Sequence, residues 1–483
     1  MTNGAIFPID KLLYQDRRFT PSRRDLLIGV GATTALTFSP AAANSVSDEY
    51  LIQGATVLTM VPGAAILVDH DVHVRNRRIV AIGKNIIAPA ATRLDARGSI
   101  VMPGLVDTHW HLWTTLLRNL ADNSDANGYF AMTGRLGRRF GPKEMRLAAM
   151  LAAADALDHG ITTVHDWCHN IRSPAHARGA LAGLRDSGLR ARFSYGATRQ
   201  TPFDQPLAAA DFARLHAGWG EWSDGGRLSL GIGWRGVMAT MDGRAVAVPD
   251  AVWRADLTLA RDRGLPVSVH ANNSAANSGH VRRLDELRLL GRDMQIVHAV
   301  NAEADEIAAL ARSGASVSLA PSSELAVGFG VPPVAALRRA GIVIGASIDT
   351  PALVGAADLL RELRIIQGLA NALAADEMAM TPLDALAIGT REGAASLGLD
   401  GVAGSLAPGK CADLIVVRRD ALSLLPHADP ATMILRSLRP ADIRVVMVDG
   451  TILKQDGLLT KIDRAALTAD VLETSARLAR DAG

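Results

Sequence analysis

The chain has 483 residues, of which 48% are hydrophobic and 21% charged, an ordinary globular balance that excludes both disorder and a multi-span membrane protein. Lys plus Arg number 51 against 49 Asp plus Glu, and the formal charge of +2 gives no long-range reason to expect nucleic acid as a partner; a small molecule is the expected one. The length suits one large barrel with a smaller second domain.

At the N-terminus, Ser22-Arg23-Arg24-Asp25-Leu26-Leu27 leads into an apolar run ending at Phe38, followed by Ala41-Ala42-Ala43. Paired arginines, a short apolar stretch and an A-x-A triplet are the pattern of a twin-arginine export signal over residues 1–43, so a periplasmic or secreted location is expected. The run is too short for a bilayer, which takes about 20 residues, and no membrane span is expected in the mature chain. With only Cys168 and Cys411, no disulfide framework is expected.

Residues 48–99 and 405–460 carry short alternating strands such as Asp71–Arg75, Ile79–Ile82 and Leu414–Val417, broken by Gly, Asn and Asp. They predict one small β-sandwich assembled from both ends of the chain. Between them, over 100–404, apolar β-branched runs alternate with helical patterns in eight units. The strands are expected at Ile100–His109, Ile161–Asp166, Arg192–Gly196, Leu228–Trp234, Pro266–His270, Gln295–His298, Ser316–Ala320 and Val343–Ser347. That is the α/β pattern of a (β/α)8 TIM barrel, whose catalytic groups sit at the C-terminal strand ends. A final helix is expected over about Arg464–Arg480, within a C-terminal segment 461–483.

His109, His270, His298 and Asp349 all fall at or just beyond such ends, more than a random scatter of the chain's 13 histidines would place there. His109 and His111 alternate along one strand and face the same side. Two histidines at a strand end serve packing as readily as a metal; the added His270, His298 and Asp349 favour an open, catalytic metal site. Arg199 and Arg235 could hold a substrate carboxylate, although rim arginines more often pair locally. Trp113 opens a loop reaching Phe140 that also carries Tyr129, Phe130 and Met132; it is a candidate substrate contact, or packs on the barrel.

The segments Pro103-Gly104-Leu105-Val106-Asp107-Thr108-His109-Trp110-His111, Leu116-Leu117-Arg118-Asn119-Leu120, Gly160-Ile161-Thr162-Thr163-Val164, Gly314-Ala315-Ser316-Val317-Ser318 and Ala407-Pro408-Gly409-Lys410-Cys411-Ala412-Asp413-Leu414 together resemble the amidohydrolase superfamily. The likeness is to its branch of cytosine, guanine, S-adenosylhomocysteine and triazine aminohydrolases, over about 48–460. The resemblance implies a hydrolase cleaving a C–N bond of a small molecule, with one divalent ion on His109, His111, His270 and Asp349. Zinc is the expected ion and iron the alternative; His298 would touch the water or substrate, and the family hints at a homo-oligomer. Binuclear members bridge their ions with a carboxylated lysine on strand four, and this chain has no lysine between Lys143 and Lys410.

Two departures matter. Aminohydrolases carry H-x-x-E at the fifth strand, and here Asn273 occupies the glutamate's place. An amide does not exchange a proton as a carboxylate does, so Asn273 is expected to bind substrate rather than shuttle protons. After strand seven, Glu324 stands where asparagine is usual; it is a candidate for the relocated shuttle, alongside the catalytic candidates Asp349 and His298, while a surface or helix-capping glutamate is the simpler reading. The competing activity is hydrolysis of an amide, carbamate or cyclic amide on the same metal, and from another class a secreted binding protein that has lost catalysis.

Overall fold

Eight parallel strands, each an apolar run flanked by turns, form one sheet among the described residues: Leu105–Trp110, Ile161–Cys168, Arg190–Gly196, Leu228–Trp234, Val267–Ala271, Met294–His298, Ser316–Leu319 and Ile344–Ala346, called barrel strands 1 to 8. The computed structural model describes residues 49–480, apart from 123, 199–200 and 242–243. The expected export segment, 1–43, and Arg199 lie outside the described residues. Neighbours pair in chain order, and strands 1 and 8 close the ring where Asp349 N–H donates to His109 O (2.9 Å) and His111 N–H to Asp349 O (2.8 Å). The closing bonds thus lie on candidate ligand residues themselves.

Helices cover the outside. In Pro142–Asp158 the proline stands in the first turn, Glu144 accepts from Gly141 N–H (2.6 Å), and Ala148, Ala149, Ala152, Ala153 and Ala156 pack inward. The C-terminal helix Arg464–Arg480 is tied to it by an Arg477–Glu144 ion pair (2.6 Å). No helix among the described residues is long and apolar enough to cross a membrane.

The strands from the two chain ends make one continuous nine-stranded sheet rather than two hydrogen-bonded layers. Its join is Ser99–Pro103 antiparallel to Leu414–Arg418. Alternation along these strands sends Ile100, Met102, Ile415 and Val417 into the barrel's core and Val101, Leu414 and Val416 into a separate core with Ile52, Val57 and Val72. The expected first barrel strand, Ile100–His109, is therefore two strands. Ser99–Pro103 belongs to the outer sheet, and the chain changes sheet at Gly104, where a Cβ would lie 2.1 Å from Thr162 Cγ2. A hairpin, Met238–Met241 with Arg244–Ala247, was not expected from the sequence.

Candidate metal centre

Strand 1 points His109 and His111 inward, with residue exposures of 0% and 5%. His270 is the penultimate residue of strand 5, His298 ends strand 6, and Asp349 lies just past strand 8. Asp349 Oδ1 is 3.4 Å from Nε2 of both His109 and His111, and His270 Nε2 is 3.2 Å from His109 Nε2. His298 offers a ring nitrogen to the same centre, within 4.8 Å of those of His109 and His270. His298 and Asp349 have φ of 79° and 59°, left-handed conformations rare for such residues and found where surrounding structure holds a functional geometry.

Burial first, then the neighbouring imidazoles, pushes the pKa of His109 and of His270 well below the ordinary histidine value, so both rings are neutral. His111 Nδ1–H donates to Trp167 O (2.8 Å), which leaves the Nε2 lone pair for the centre. His109 Nδ1 is buried without a hydrogen-bond partner. Neutral nitrogens this close to one another and to a carboxylate oxygen fit a shared divalent cation, for which the donor set of imidazoles and one carboxylate is suited.

The surroundings hold this arrangement. Asp107 is fully buried; its Oδ1 accepts from His109 N–H (3.1 Å) and its Oδ2 from Ile348 N–H (2.8 Å), which clamps strand 1 to the turn carrying Asp349. Trp167 sets its indole edge-on to His270 (centroids 4.5 Å apart), with Nε1–H donating to Ser268 O (3.2 Å). That indole fills the space beside strand 4, where a Cβ on Gly233 would come within 2.8 Å of it. No lysine reaches the centre from strand 4, and tryptophan occupies that side of it. Behind strand 5, buried Glu306 accepts from Asn272 Nδ2 (2.8 Å), Glu303 N–H (2.9 Å) and Arg282 N–H (3.0 Å), fixing the turn in which Asn272 has φ of 48°.

Sequence reasoning passed over Asp107, Trp167 and Glu306. Asp107 carried a signal, since it alternates with His109 and His111 on the inward face; Trp167 and Glu306 act across elements remote in sequence.

Glu324 is neither a surface nor a simple capping residue. It is fully buried, and its Oε1 meets His298 Nδ1 (3.1 Å) and Ala320 N–H (2.9 Å), while Oε2 has no partner. Burial raises its pKa. The carboxylate therefore stands behind His298 and fixes its ring, so that it reaches the centre through that imidazole. Asn273 Oδ1 is buried and unpartnered next to His270's strand. Trp113 is buried, its ring edge-on to Phe140 (5.6 Å) and His169 (5.3 Å), an arrangement that packs it into the barrel mouth. Arg235 pairs locally rather than presenting itself to a substrate carboxylate: its guanidinium donates to Pro202 O (3.1 Å) and Gln205 O and pairs with Asp256 (3.4 Å), which ties down the 202–205 segment.

A parallel eight-stranded barrel with a His/Asp metal-binding cluster at its C-terminal mouth is the architecture of a metal-dependent hydrolase. The chain belongs to the amidohydrolase family, whose model matches residues 100–453, and it is an enzyme acting on C–N bonds other than peptide bonds. It is 32% identical to a 5-methylthioadenosine/S-adenosylhomocysteine deaminase of Symbiobacterium thermophilum, over 90% of this chain and 100% of that one. Identity is 29% to the deaminase of the same name from Natronomonas pharaonis, over 88% and 97%. Among solved structures, a zinc-bound adenosine deaminase from Xanthomonas campestris superposes with a TM-score of 0.79 at 28% identity, covering 89% of this chain and 98% of that one. The zinc complex of atrazine chlorohydrolase from Arthrobacter aurescens shares the fold, with a TM-score of 0.77 at 22% identity over 88% and 100%.

Proposed function

We propose that the protein is a mononuclear zinc aminohydrolase that removes the amino group of an adenine-type nucleoside. The observation that carries this reading is the convergence of His109, His111, His270 and Asp349 within 3.2–3.4 Å contacts on one point of the barrel mouth. Similarity to nucleoside deaminases across nearly the whole chain supports the substrate class.

A divalent ion held by these four residues would supply the acidity that makes water a nucleophile near neutral pH. Asp349 Oδ1, lying between the two strand-1 histidines, takes the proton from the attacking water. His298, its Nδ1 held by Glu324, turns Nε2 toward the reacting carbon's substituents, where an Nε2–H stabilises the negative charge that develops. Asn273 contributes a fixed amide, which orients a ring edge and transfers no proton. Proton delivery to the departing nitrogen therefore falls to Asp349 and His298.

Asn273 also favours one alternative, hydrolysis of an amide or cyclic amide on the same centre, since that reaction needs no proton placed on a ring nitrogen. Ammonia release decides between them. The zinc-loaded full chain is expected to release one ammonia per methylthioadenosine consumed; turnover of cyclic amides with no ammonia from any adenine nucleoside would overturn the deaminase reading.

Export by the twin-arginine route is part of this proposal, supported by Arg23-Arg24, the apolar run and Ala41-Ala42-Ala43. The chain is expected in the periplasmic fraction, and in the cytoplasm once both arginines are replaced by lysine. An unchanged distribution would contradict it.

A further inference from the structure

An apolar rim adjoins the centre and has no part in the chemistry above. Phe329, in the loop after strand 7, sets its ring edge-on to His298, centroids 5.4 Å apart at 74°. Its main chain is fixed on both sides, N–H donating to Glu324 O (2.9 Å) and O accepting from Asn301 Nδ2 (3.3 Å). Across from it stands Phe130, on the helix Tyr129–Leu136 in the loop after strand 1, with ring centroids 6.5 Å apart. Met132 and Leu136 anchor that helix in the core, which leaves Phe130 on its outer side, 48% exposed. Large apolar groups exposed beside a catalytic centre, on loops from two separate strands, cost hydration free energy unless a ligand covers them.

Three arginines in the segments that follow strands 1 and 4 are committed to protein partners. Arg118 is paired with Asp155, Arg135 donates to Ala126 O and Asn127 Oδ1, and Arg235 is held by two carbonyls and Asp256. Each of these guanidinia is engaged through its terminal nitrogens by groups of the protein.

We propose that Phe130 and Phe329 form a subsite for an uncharged, apolar substituent of the substrate, so that the enzyme selects nucleosides with an alkylthio tail over those whose tail carries an ammonium and a carboxylate. The inference rests on the nucleoside deaminase reading. A methylthio group laid against the two rings gains burial, whereas a zwitterionic tail would surrender hydration there.

The test is ammonia release from methylthioadenosine and from S-adenosylhomocysteine by the zinc-loaded full chain, as wild type, Phe130→Ala, Phe329→Ala and Phe329→Leu. Wild type is expected to favour methylthioadenosine by about tenfold or more in kcat/KM. Each alanine variant is expected to lose about tenfold on that substrate, through KM, and to change about twofold or less on the other. Phe329→Leu, which keeps an apolar side chain, should retain most of the preference. Phe130 is half exposed, so its variant folds and answers the question even where Phe329→Ala does not. No preference in wild type, or a preference that survives Phe130→Ala and Phe329→Ala, overturns the subsite while leaving the deaminase reading in place. Ammonia from neither nucleoside overturns the deaminase reading itself, and the subsite with it.

Discussion

Two buried clusters of charged and polar groups stand at opposite ends of the barrel, and they differ in whether their atoms are satisfied. At the junction with the outer sheet, Arg190 donates through Nε to Asp413 Oδ2 (2.5 Å) and through its terminal nitrogen to Asp413 Oδ1 (3.2 Å) and Asp449 Oδ1 (3.1 Å). Asp449 N–H donates to Asp413 Oδ1 (2.6 Å), and Arg77 completes the set on Asp449. Every charge there has an opposite partner, the condition under which buried ions are tolerated. At the mouth, neutral imidazole nitrogens face one another, Asn273 Oδ1 and Glu324 Oε2 lack partners, and His298 and Asp349 hold left-handed backbones. Burial alone marks neither cluster as functional; unsatisfied, converging donors mark the second.

The difference predicts where substitutions act. The largest effect is expected from Asp349→Asn, which should lower kcat by about a thousandfold or more while the melting transition stays cooperative. A smaller loss would move the proton-accepting role elsewhere. Arg190→Met should do the reverse: two buried carboxylates lose their main partner, stability falls by about 3–5 kcal/mol in urea unfolding, and kcat per folded, metal-loaded chain is unchanged. A fall in kcat instead would mean that the junction and the mouth are coupled.

Glu324 sharpens the contrast, since it belongs to the mouth yet does not face its centre. If it holds the His298 ring, Glu324→Gln, which still offers an oxygen to His298 Nδ1 and Ala320 N–H, keeps most of the activity, and Glu324→Ala loses about a hundredfold. Equal losses in both, with the acid limb of the pH profile displaced, would restore the shuttle. The smallest effect concerns His280, whose Nδ1–H donates to Asn277 Oδ1 (3.1 Å) and whose Nε2 accepts from Val237 N–H (3.2 Å). Burial lowers its pKa to about 4. The unfolded chain then binds this proton more readily than the folded one, so the stabilisation is full above about pH 6.5 and fades as pH falls toward 4. Between pH 7 and 5 the wild type should lose about 2 kcal/mol more than His280→Gln in urea midpoints; parallel losses would remove this role.

The barrel and the four converging residues were legible because each signal is local. Continuous apolar runs such as Leu228–Trp234 become strands buried on both faces, and residues at the ends of parallel strands share one mouth. What could not be read depended on partners remote in sequence. Whether Arg235 faced substrate or the 202–205 carbonyls, and whether Glu324 faced the centre or the back of His298, is decided by how loops fold over one another. The strand break at Gly104 likewise depends on Thr162 arriving from the next strand. Asp107 could have been found from its alternation with His109 and His111, whereas its clamp on Ile348 N–H, 241 residues away, could not.

The most direct test is elemental analysis of metal per chain, for wild type and His270→Ala purified without added metal or chelator. One ion per chain is expected in wild type, reduced to a trace in the variant with the fold retained. Two ions per chain, or metal content unaffected by the loss of His270, would contradict a single site built on His109, His111, His270 and Asp349.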